Sequence, residues 1–461
     1  MRFWPSRRPG KPGKPGPALS KQKAQQEYVR QAYPDLLPGP GPFGDPDQPE
    51  RPDRPDAPVE YFYQAGTLLV REEYLASVRE SLRQVGRPSD ESRDDRRSGL
   101  ARHSVSGVRL LRLGGREEDM STIDALRMIL HGTPTRTRPR PIGLVPLGAG
   151  AASLNHLLHI AGDAGNCPAN EPEPVAADTP RWPGPTRDPF GGTGVRVVII
   201  DTAFDKAIGA ATPWLKDVRG IEVGQAAPIP PASDRYRGHG TFIAGLVRTM
   251  APSADVIVRA LFQRCGAALE SEVVSALHTV LIKDDPDIIS LSAGTNTFEN
   301  NGLLGLAAFN QNRMRHHKGV VLVAAAGNDN DRKPFWPAAA PFAVSVGALN
   351  RSLDGRADYS NFGGWVDVYA PGTDLINAYP KGDYTYQEPP YGPPPKGIVR
   401  TETFTGMARW SGTSFSTPIV TGLIAARMSH TGENGQTAAD ALIRTAQQVA
   451  LPGVGAVLLP R

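Results

Sequence analysis

Short apolar runs recur along the second half of the chain, and segments with helical spacing separate them. The runs predict strands at 195–200, 255–261, 287–292, 319–326, 342–349 and 365–370. Helical spacing is found at 271–284 and 305–318. Strands that are apolar on both faces and alternate with helices are typical of a parallel sheet covered on both sides. The pattern predicts a three-layer α/β unit at residues 191–450.

A shorter pattern of the same kind precedes this unit, at residues 59–161. Its apolar runs predict strands at 66–70, 104–113 and 141–147. Two stretches with helical periodicity, 71–86 and 121–131, lie between the strands, and a Ser/Thr cap opens the second of them. The order strand–helix–strand–helix–strand predicts a small α/β sandwich of the ferredoxin-like kind.

The remaining segments have few apolar residues. Residues 1–58 are rich in proline and glycine, and we expect a disordered tail there, because such a chain buries too little apolar surface to offset its entropy. The loop-like composition of 162–190 predicts a linker. The last residues, 451–461, are expected to be a C-terminal tail.

Charge and cysteine content narrow the class of protein. With 51 basic and 47 acidic residues the net charge is only +4, which together with the lack of a basic–aromatic pattern argues against a nucleic-acid partner. Cys167 and Cys265 are too few for a disulfide framework, and we expect two reduced thiols, with a single bridge as the alternative. No apolar run approaches the ~18 residues of a membrane span. No apolar run follows the basic N-terminus, so cytoplasmic residence is the default expectation, with unconventional export as the alternative.

Four polar residues stand where predicted elements begin or end. Asp201 ends the strand 195–200, His239 lies between glycines in "RGHGTFIAGLV", Asn328 follows the strand in "VAAAGNDN", and Ser414 opens a helix in "WSGTSFSTPIVTG". Singly, each is most simply a turn former, a structural histidine or a helix cap. Together, in one parallel α/β unit, they indicate a functional site, because such sites gather at the carboxyl ends of the strands.

These motifs resemble those of the subtilisin-like serine proteases, or subtilases, over roughly residues 190–450. "DTAFD", "GHGTFIAG", "AAAGN" and "GTSFSTPIVTG" are similar to the family's Asp, His, oxyanion Asn and Ser motifs, and the triad follows the same order. The resemblance implies an endopeptidase in which Ser414 is the nucleophile and His239 the general base. Asp201 would orient the imidazole, and Asn328 would stabilise the oxyanion with the Ser414 amide.

The resemblance also implies a polypeptide substrate that binds as an added strand. "SLSAG" at 290–294 is similar to the segment that pairs with extended substrate. The implied substrate-binding residues are Ser292, Ala293, Gly294, Ala325 and Gly327. No cofactor is implied, and we expect no metal, because His156–His159 and His316–His317 have no Cys or carboxylate at ligand spacing.

Two departures from the family pattern change what is expected locally. Ala203 stands where the family usually has glycine, so the turn after Asp201 must differ slightly or already lie in a region open to alanine. The Tyr/Pro-rich stretch 380–410 looks longer than a simple member needs. It is expected at the rim of the site, as a loop controlling access or as a packed insertion.

Three questions stay open in the sequence. The N-terminal sandwich resembles a subtilase prodomain, which would cover the cleft and be cut off within 162–190, but it could be an unrelated accessory domain. A catalytically silent peptide-binding or scaffolding module on the same fold is the main functional alternative. A protease acting on one dedicated partner is a further alternative.

Overall fold

The computed structural model describes residues 29, 32–40, 59–90, 107–134, 138–160, 169–222, 236–263, 265–386 and 399–460. They form a smaller N-terminal unit that packs against a larger α/β unit. None of the helices within these ranges is both long enough and apolar enough to cross a membrane.

An antiparallel sheet and two helices form the N-terminal unit. Its strands are Leu36–Pro40 (β1), Val59–Arg71 (β2), Val108–Arg112 (β3) and Ala152–His159 (β4). Its helices are Leu75–Gln84 (α1) and Thr122–His131 (α2). One edge of β2 pairs with β4, and its other edge pairs with β1 and β3. As predicted, Ser121 caps α2, since its hydroxyl accepts a hydrogen bond from the Asp124 amide at 3.0 Å.

The predicted strand at 141–147 is wrong. That stretch is a turn and an irregular loop with Ile142 and Val145 exposed, and Pro141, Gly143 and Pro146 explain why, since proline cannot donate to a strand ladder. The third strand of the sandwich is β4 instead. This strand was not predicted because its sequence contains polar residues, although all its residues are buried.

The larger unit has a central sheet of seven parallel strands, which confirms the predicted parallel α/β architecture. In chain order they are Arg196–Asp201 (β6), Arg219–Glu222 (β7), Asp255–Ala260 (β8), Ile288–Leu291 (β10), Val321–Ala325 (β11), Ala343–Leu349 (β12) and Val368–Pro371 (β13). In space the order is β13-β12-β11-β10-β6-β8-β7. The six predicted strands are all present. The edge strand β7 was missed because its sequence, "RGIE", has no apolar run.

Helices cover both faces of this sheet. They are Lys206–Ala211 (α3), His239–Met250 (α4), Glu270–Lys283 (α5), Leu304–Asn312 (α6), Thr413–Thr431 (α7) and Gly435–Gln448 (α8). The helix predicted at 305–318 ends at Asn312, and a short 3₁₀ turn follows at Met314–His316. Helices α4 and α7 pack with one face of the sheet in the largest apolar core. On the other face, α5 and α6 share a second core with residues of β2, β3 and β4.

Smaller strands complete the larger unit. They are Glu173–Pro174 (β5), Ala267–Leu269 (β9), Leu375–Ala378 (β14), Gly382–Thr385 (β15), Thr401–Phe404 (β16) and Met407–Trp410 (β17). Strand β9 pairs with β4 and so joins the sheet of the N-terminal unit to the larger unit. Strands β14, β17 and β5 form a separate antiparallel sheet, and β15 and β16 form a hairpin.

Three expected boundaries need correction where the chain is described. Leu36–Pro40 of the expected tail is ordered as β1, because it completes the free edge of β2. The part of the expected linker at 169–190 packs on the larger unit through β5, and 161–168, with Cys167, lies outside the described residues. The expected C-terminal tail also packs, since Val457 bridges to Tyr369 and Leu458 is buried. The rest of 1–58 lies largely outside the described residues.

Candidate active site

Asp201 is held at the carboxyl end of β6, where it is fully buried. Its Oδ1 lies 2.7 Å from His239 Nδ1 and accepts a further hydrogen bond from the Thr202 amide at 2.7 Å. Because an ionised carboxylate can only accept, this contact assigns the imidazole proton to Nδ1. The other ring nitrogen, Nε2, is then left as a base.

Glycines on both sides place His239 at the first position of α4. Gly238 has φ +79°, and a Cβ there would lie 2.7 Å from the ring of Tyr379. A Cβ on Gly240 would lie 2.5 Å from the Thr202 carbonyl oxygen. The helix therefore starts in direct contact with the strand end that carries Asp201, and only glycine permits so close an approach.

Ser414 is the second residue of α7, and the aromatic side chains of Trp410 and Phe415, which flank it in the sequence, contact the imidazole of His239. The ring of Phe415 lies 5.2 Å from the His239 ring, and that of Trp410 meets it edge-on at 5.5 Å. Neither His239 Nε2 nor Ser414 Oγ has a hydrogen-bond partner within the described part of the chain. Contacts between a nucleophile and its base are often long in unliganded enzymes and tighten when substrate binds.

Asn328 contributes a side-chain amide of fixed orientation. Its Oδ1 accepts hydrogen bonds from the backbone amide and hydroxyl of Thr413, at 2.9 and 3.0 Å. The Thr413 hydroxyl in turn accepts from the Gly327 amide at 3.2 Å. Asn328 is fully buried, and its Nδ2 has no partner among the described residues. A buried donor costs about 1–3 kcal/mol when unpaired, so this one is a candidate for binding a transient anion.

The residues expected to bind substrate have different surroundings. Gly294 presents its backbone, and it forms an antiparallel bridge with His159 of the N-terminal unit through hydrogen bonds of 2.8 and 2.9 Å. The Ser292 hydroxyl points inward and donates to the Ser414 carbonyl at 2.9 Å. Gly327 has both main-chain groups engaged, with Thr413 and with Asn361.

The two alanines of the expected set are fully buried. Ala325 is the last residue of β11, and Ala293 follows β10 by two positions. Because β10 and β11 are neighbours in the sheet, the segments 292–294 and 325–327 leave it side by side. Of the set, Gly294 is the residue whose backbone pairs with the N-terminal unit.

Two further histidines, His156 and His159, are buried where the N-terminal unit contacts the larger unit. His156 Nε2 accepts from the Phe298 amide at 3.0 Å. His159 is buried, and burial lowers its pKa to about 4, so the ring is neutral at physiological pH. Among the described residues, no three His, Cys, Asp or Glu side chains lie close enough together to hold a metal ion.

Aromatic side chains of the Tyr/Pro-rich stretch are packed into the larger unit. Tyr384, Tyr386 and Phe404 are buried, so this part is a packed insertion, while 387–398 lies outside the described residues. The backbone carbonyls of Lys381 and Asp383 accept from Arg237, which places the insertion beside the start of α4. Its position at the rim is therefore as expected.

Sequence reasoning missed two residues that orient the site. Thr413 holds Asn328, and its signal was present in "GTS", directly before Ser414. Thr202 donates to Asp201 and accepts from the Gly240 amide at 2.9 Å, which ties the strand end to the helix start. A hydroxyl beside a candidate acid gives no distinctive pattern, so Thr202 had no comparable signal.

Comparison with known proteins identifies the family of the larger unit. Residues 192–457 match the model of the subtilase family, Peptidase_S8. The "Thermophilic serine proteinase" of Bacillus sp. (strain AK1) is 30% identical over 279 residues, which are 57% of this chain and 59% of the relative. "Thermitase" of Thermoactinomyces vulgaris is 27% identical over 274 residues, 57% of this chain and 84% of the relative.

The match covers only part of most of these relatives. "Subtilisin-like protease 6" of Trichophyton verrucosum is 28% identical over 227 residues, 45% of this chain and 52% of the relative. The chain thus spans about half the length of most of the curated relatives that it matches first.

A solved structure extends the likeness in fold beyond the family match. Fervidolysin of Fervidobacterium pennivorans aligns with 87% of this chain and 60% of its own, with a TM-score of 0.55 and 19% identity. The fold of both units is therefore shared with a known structure. Because the family model covers more than half of the chain, this protein belongs to the subtilase family.

Proposed function

We propose that this chain is a serine endopeptidase that hydrolyses peptide bonds with Asp201, His239 and Ser414. The observation that carries the proposal is the 2.7 Å contact between Asp201 Oδ1 and His239 Nδ1. It leaves His239 Nε2 free to take a proton, and the Ser414 hydroxyl likewise has no partner among the described residues. A binding module would have no need of this combination.

The chemistry follows from the roles that these atoms can take. Ser414 Oγ attacks the scissile carbonyl carbon while its proton passes to His239 Nε2. The buried Asp201 carboxylate stabilises the imidazolium, which then protonates the leaving amine. The acyl-enzyme that remains on Ser414 is hydrolysed when water, deprotonated by the same nitrogen, attacks the ester carbon.

Asn328 stabilises the charge that develops on the carbonyl oxygen. Its Nδ2 is oriented before the reaction, because Thr413 holds the other end of the amide. A fixed donor in a water-poor site needs no reorganisation when the oxyanion forms. The position of Ser414 in the first turn of α7 adds the favourable end of the helix dipole.

Polypeptide is the proposed substrate, bound as an added strand along Gly294. The antiparallel bridge between His159 and Gly294 supports this, because it shows that the edge accepts an extended main chain. The Ile160 amide donates to the Gly266 carbonyl at 2.8 Å on the other side of the same strand. Main-chain bonds of this kind give affinity with little demand on side chains.

We also propose that the N-terminal unit is an intramolecular inhibitor, removed by self-cleavage. Its β4 occupies the edge that substrate would use and pairs with β9 on its opposite side. Asn155 supports the docking, since its Oδ1 accepts from the Ser271 amide in the first turn of α5, at 3.1 Å. Lys333 adds an ion pair with Glu60, at 2.7 Å.

Hydrolysis of a fluorogenic peptide library by the wild type and by Ser414→Ala tests the proposal. The wild type is expected to turn over some members, and the variant to lose about six orders of magnitude in kcat. Ser411→Ala, which changes a neighbouring serine outside the triad, is the matched control and is expected to retain activity. No hydrolysis by processed wild-type protein would favour the catalytically silent alternative.

A further inference from the structure

Residues 169–174, here called the arm, lie along β17 a few residues before Ser414. Pro174 of the arm pairs with Ala408, and Glu173 pairs with Arg409, in antiparallel register. The opposite edge of β17 pairs with β14. Both edges of the strand that leads to the candidate nucleophile are therefore occupied within the chain itself.

Asn170 engages the last groups before the nucleophile. Its carbonyl oxygen accepts from Trp410 Nε1 at 2.7 Å, and its Oδ1 accepts from the Ser411 amide at 3.1 Å. The next amide, that of Gly412, donates to the Gly372 carbonyl at 2.9 Å. An incoming peptide thus finds neither of these main-chain donors available.

Two buried tyrosines form hydrogen bonds to the arm, one within β15 and one directly after it. The Tyr384 hydroxyl donates to Glu171 Oε1 at 2.8 Å, and the Tyr386 hydroxyl donates to the Pro172 carbonyl at 2.9 Å. Glu171 is only 7% exposed, so releasing it from Tyr384 would leave a buried carboxylate with one partner fewer. The arm is therefore fastened by the Tyr/Pro-rich insertion rather than resting loosely on the surface.

The arm is connected to the imidazole of His239 through Trp410. In the proposed function, on which this inference rests, the acyl portion pairs along Gly294 and His239 protonates the leaving amine, so the leaving portion departs past His239. Trp410, which donates to Asn170, meets the imidazole edge-on at 5.5 Å. The arm thus pairs with the strand whose last residue contacts the imidazole.

We propose that the arm confines recognition of the polypeptide substrate to residues on the acyl side of the scissile bond. The leaving portion gains no main-chain pairing with β17 or with the amides of Ser411 and Gly412. The preferred substrates are then polypeptides selected by the sequence before the cut, and lengthening the leaving portion adds nothing to kcat/KM.

Matched peptides with one acyl sequence and a leaving portion of one or four residues test this specificity. The wild type is expected to cleave both with similar kcat/KM. In the Tyr384→Phe/Tyr386→Phe variant the arm is released, and the longer peptide should gain about tenfold over the shorter one, as one net main-chain hydrogen bond would give. Thr403→Val, which removes an exposed hydroxyl from the same hairpin, should behave as the wild type.

An advantage of tenfold or more for the longer peptide in the wild type would overturn the inference, as would an unchanged ratio in the double variant. Asn170→Ala, which removes only the acceptor of the Ser411 amide, provides a second variant with an intact insertion. It is expected to shift the ratio in the same direction.

Hydrogen exchange separates failure of the arm from failure of the proposed function. In the full Ser414→Ala chain the amides of Ser411 and Gly412 should exchange slowly. That of Ser411 should exchange at least about tenfold faster when the tyrosine substitutions are added. Unchanged exchange would overturn the arm's role, whereas protected amides in Ser414→Ala together with no hydrolysis of either peptide by the wild type would count against the peptidase assignment alone. Exchange in β10 reports whether each variant is folded.

Discussion

Thr413 determines which way the side-chain amide of Asn328 points. Both its backbone amide and its hydroxyl donate to Asn328 Oδ1, at 2.9 and 3.0 Å, so the NH₂ group must face the opposite direction. The residue directly before the candidate nucleophile therefore positions the candidate oxyanion donor. The first turn of α7 therefore both carries Ser414 and orients the Asn328 amide.

Removal of the oxyanion donor is expected to lower kcat more than it changes KM. Asn328→Ala should lose about 10²–10³ in kcat, as in enzymes that lack one such donor. Thr413→Val should lose about tenfold, because the amide keeps one of its two bonds, and Thr413→Ser should restore most of it. Steady-state kinetics on one peptide measures both effects. Equal losses in Thr413→Val and Thr413→Ser would show that the hydroxyl does not position Asn328.

Substitution of Asp201 is expected to lower kcat far more than substitution of Ala203 in the turn that follows it. Asp201→Asn should lower kcat by about 10⁴, because the neutral amide favours the wrong imidazole tautomer. Ala203 has negative φ and is exposed, so Ala203→Gly should stay within about threefold of the wild type. Kinetics of the two variants side by side makes the comparison. Similar losses in both would mean that the turn itself is critical.

Self-cleavage is expected between Ile160 and Ala169. Ile160 still pairs with Gly266, whereas Asn170 is already bonded to Trp410, the last residue of β17. Intact mass and N-terminal sequencing of purified wild-type protein locate the new terminus, and Ser414→Ala is expected to stay uncut. A full-length mass in active wild-type protein would contradict the processing scheme.

Acid is expected to weaken the docking of the N-terminal unit through His159. Burial lowers the pKa of His159 from 6.5 to about 4, so the released strand binds a proton below pH ~6.5 while the docked strand does not. The contribution of His159 to the free energy of unfolding is therefore fully present above about pH 6.5. It falls by about 1.4 kcal/mol for each pH unit between pH ~6.5 and pH ~4.

Urea unfolding of the Ser414→Ala chain measures this dependence. Between about pH 7 and pH 5 the parent should lose about 2 kcal/mol more than His159→Gln, which cannot titrate. His316→Gln, at an exposed position, should follow the parent. Parallel profiles for the parent and His159→Gln would show that His159 does not carry the effect.

Sequence patterns predicted the central sheet well because its strands are apolar on both faces. Burial between two helical layers demands this, so the pattern of β6, β10 and β11 is unambiguous. The same argument explains the error in the N-terminal unit. Strand β4 carries Asn155 and His156, whose polar groups are bonded to the larger unit, and no local pattern could show those partners.

The residues of the candidate site that lie in sequence motifs were predictable. The contacts that depend on packing between distant segments were not. Asp201 ends a strand, Asn328 follows one, and His239 and Ser414 lie in the first turn of a helix, so the fold class predicts that they gather at the carboxyl end of the sheet. By contrast, the contact between Asn170 and Ser411 joins residues 241 positions apart. Contacts of this kind depend on the course of the whole chain, and no window of sequence contains them.

The most direct test of the central claim is to map the adduct of a serine-directed fluorophosphonate. Activation of Ser414 by His239 predicts a single adduct on Ser414 in the wild type, identified by peptide mass spectrometry. Labelling should be lost in Ser414→Ala and slowed by orders of magnitude in Asp201→Asn. Labelling of another serine, or no labelling of processed protein that is folded, would contradict the claim that this site is a working serine peptidase.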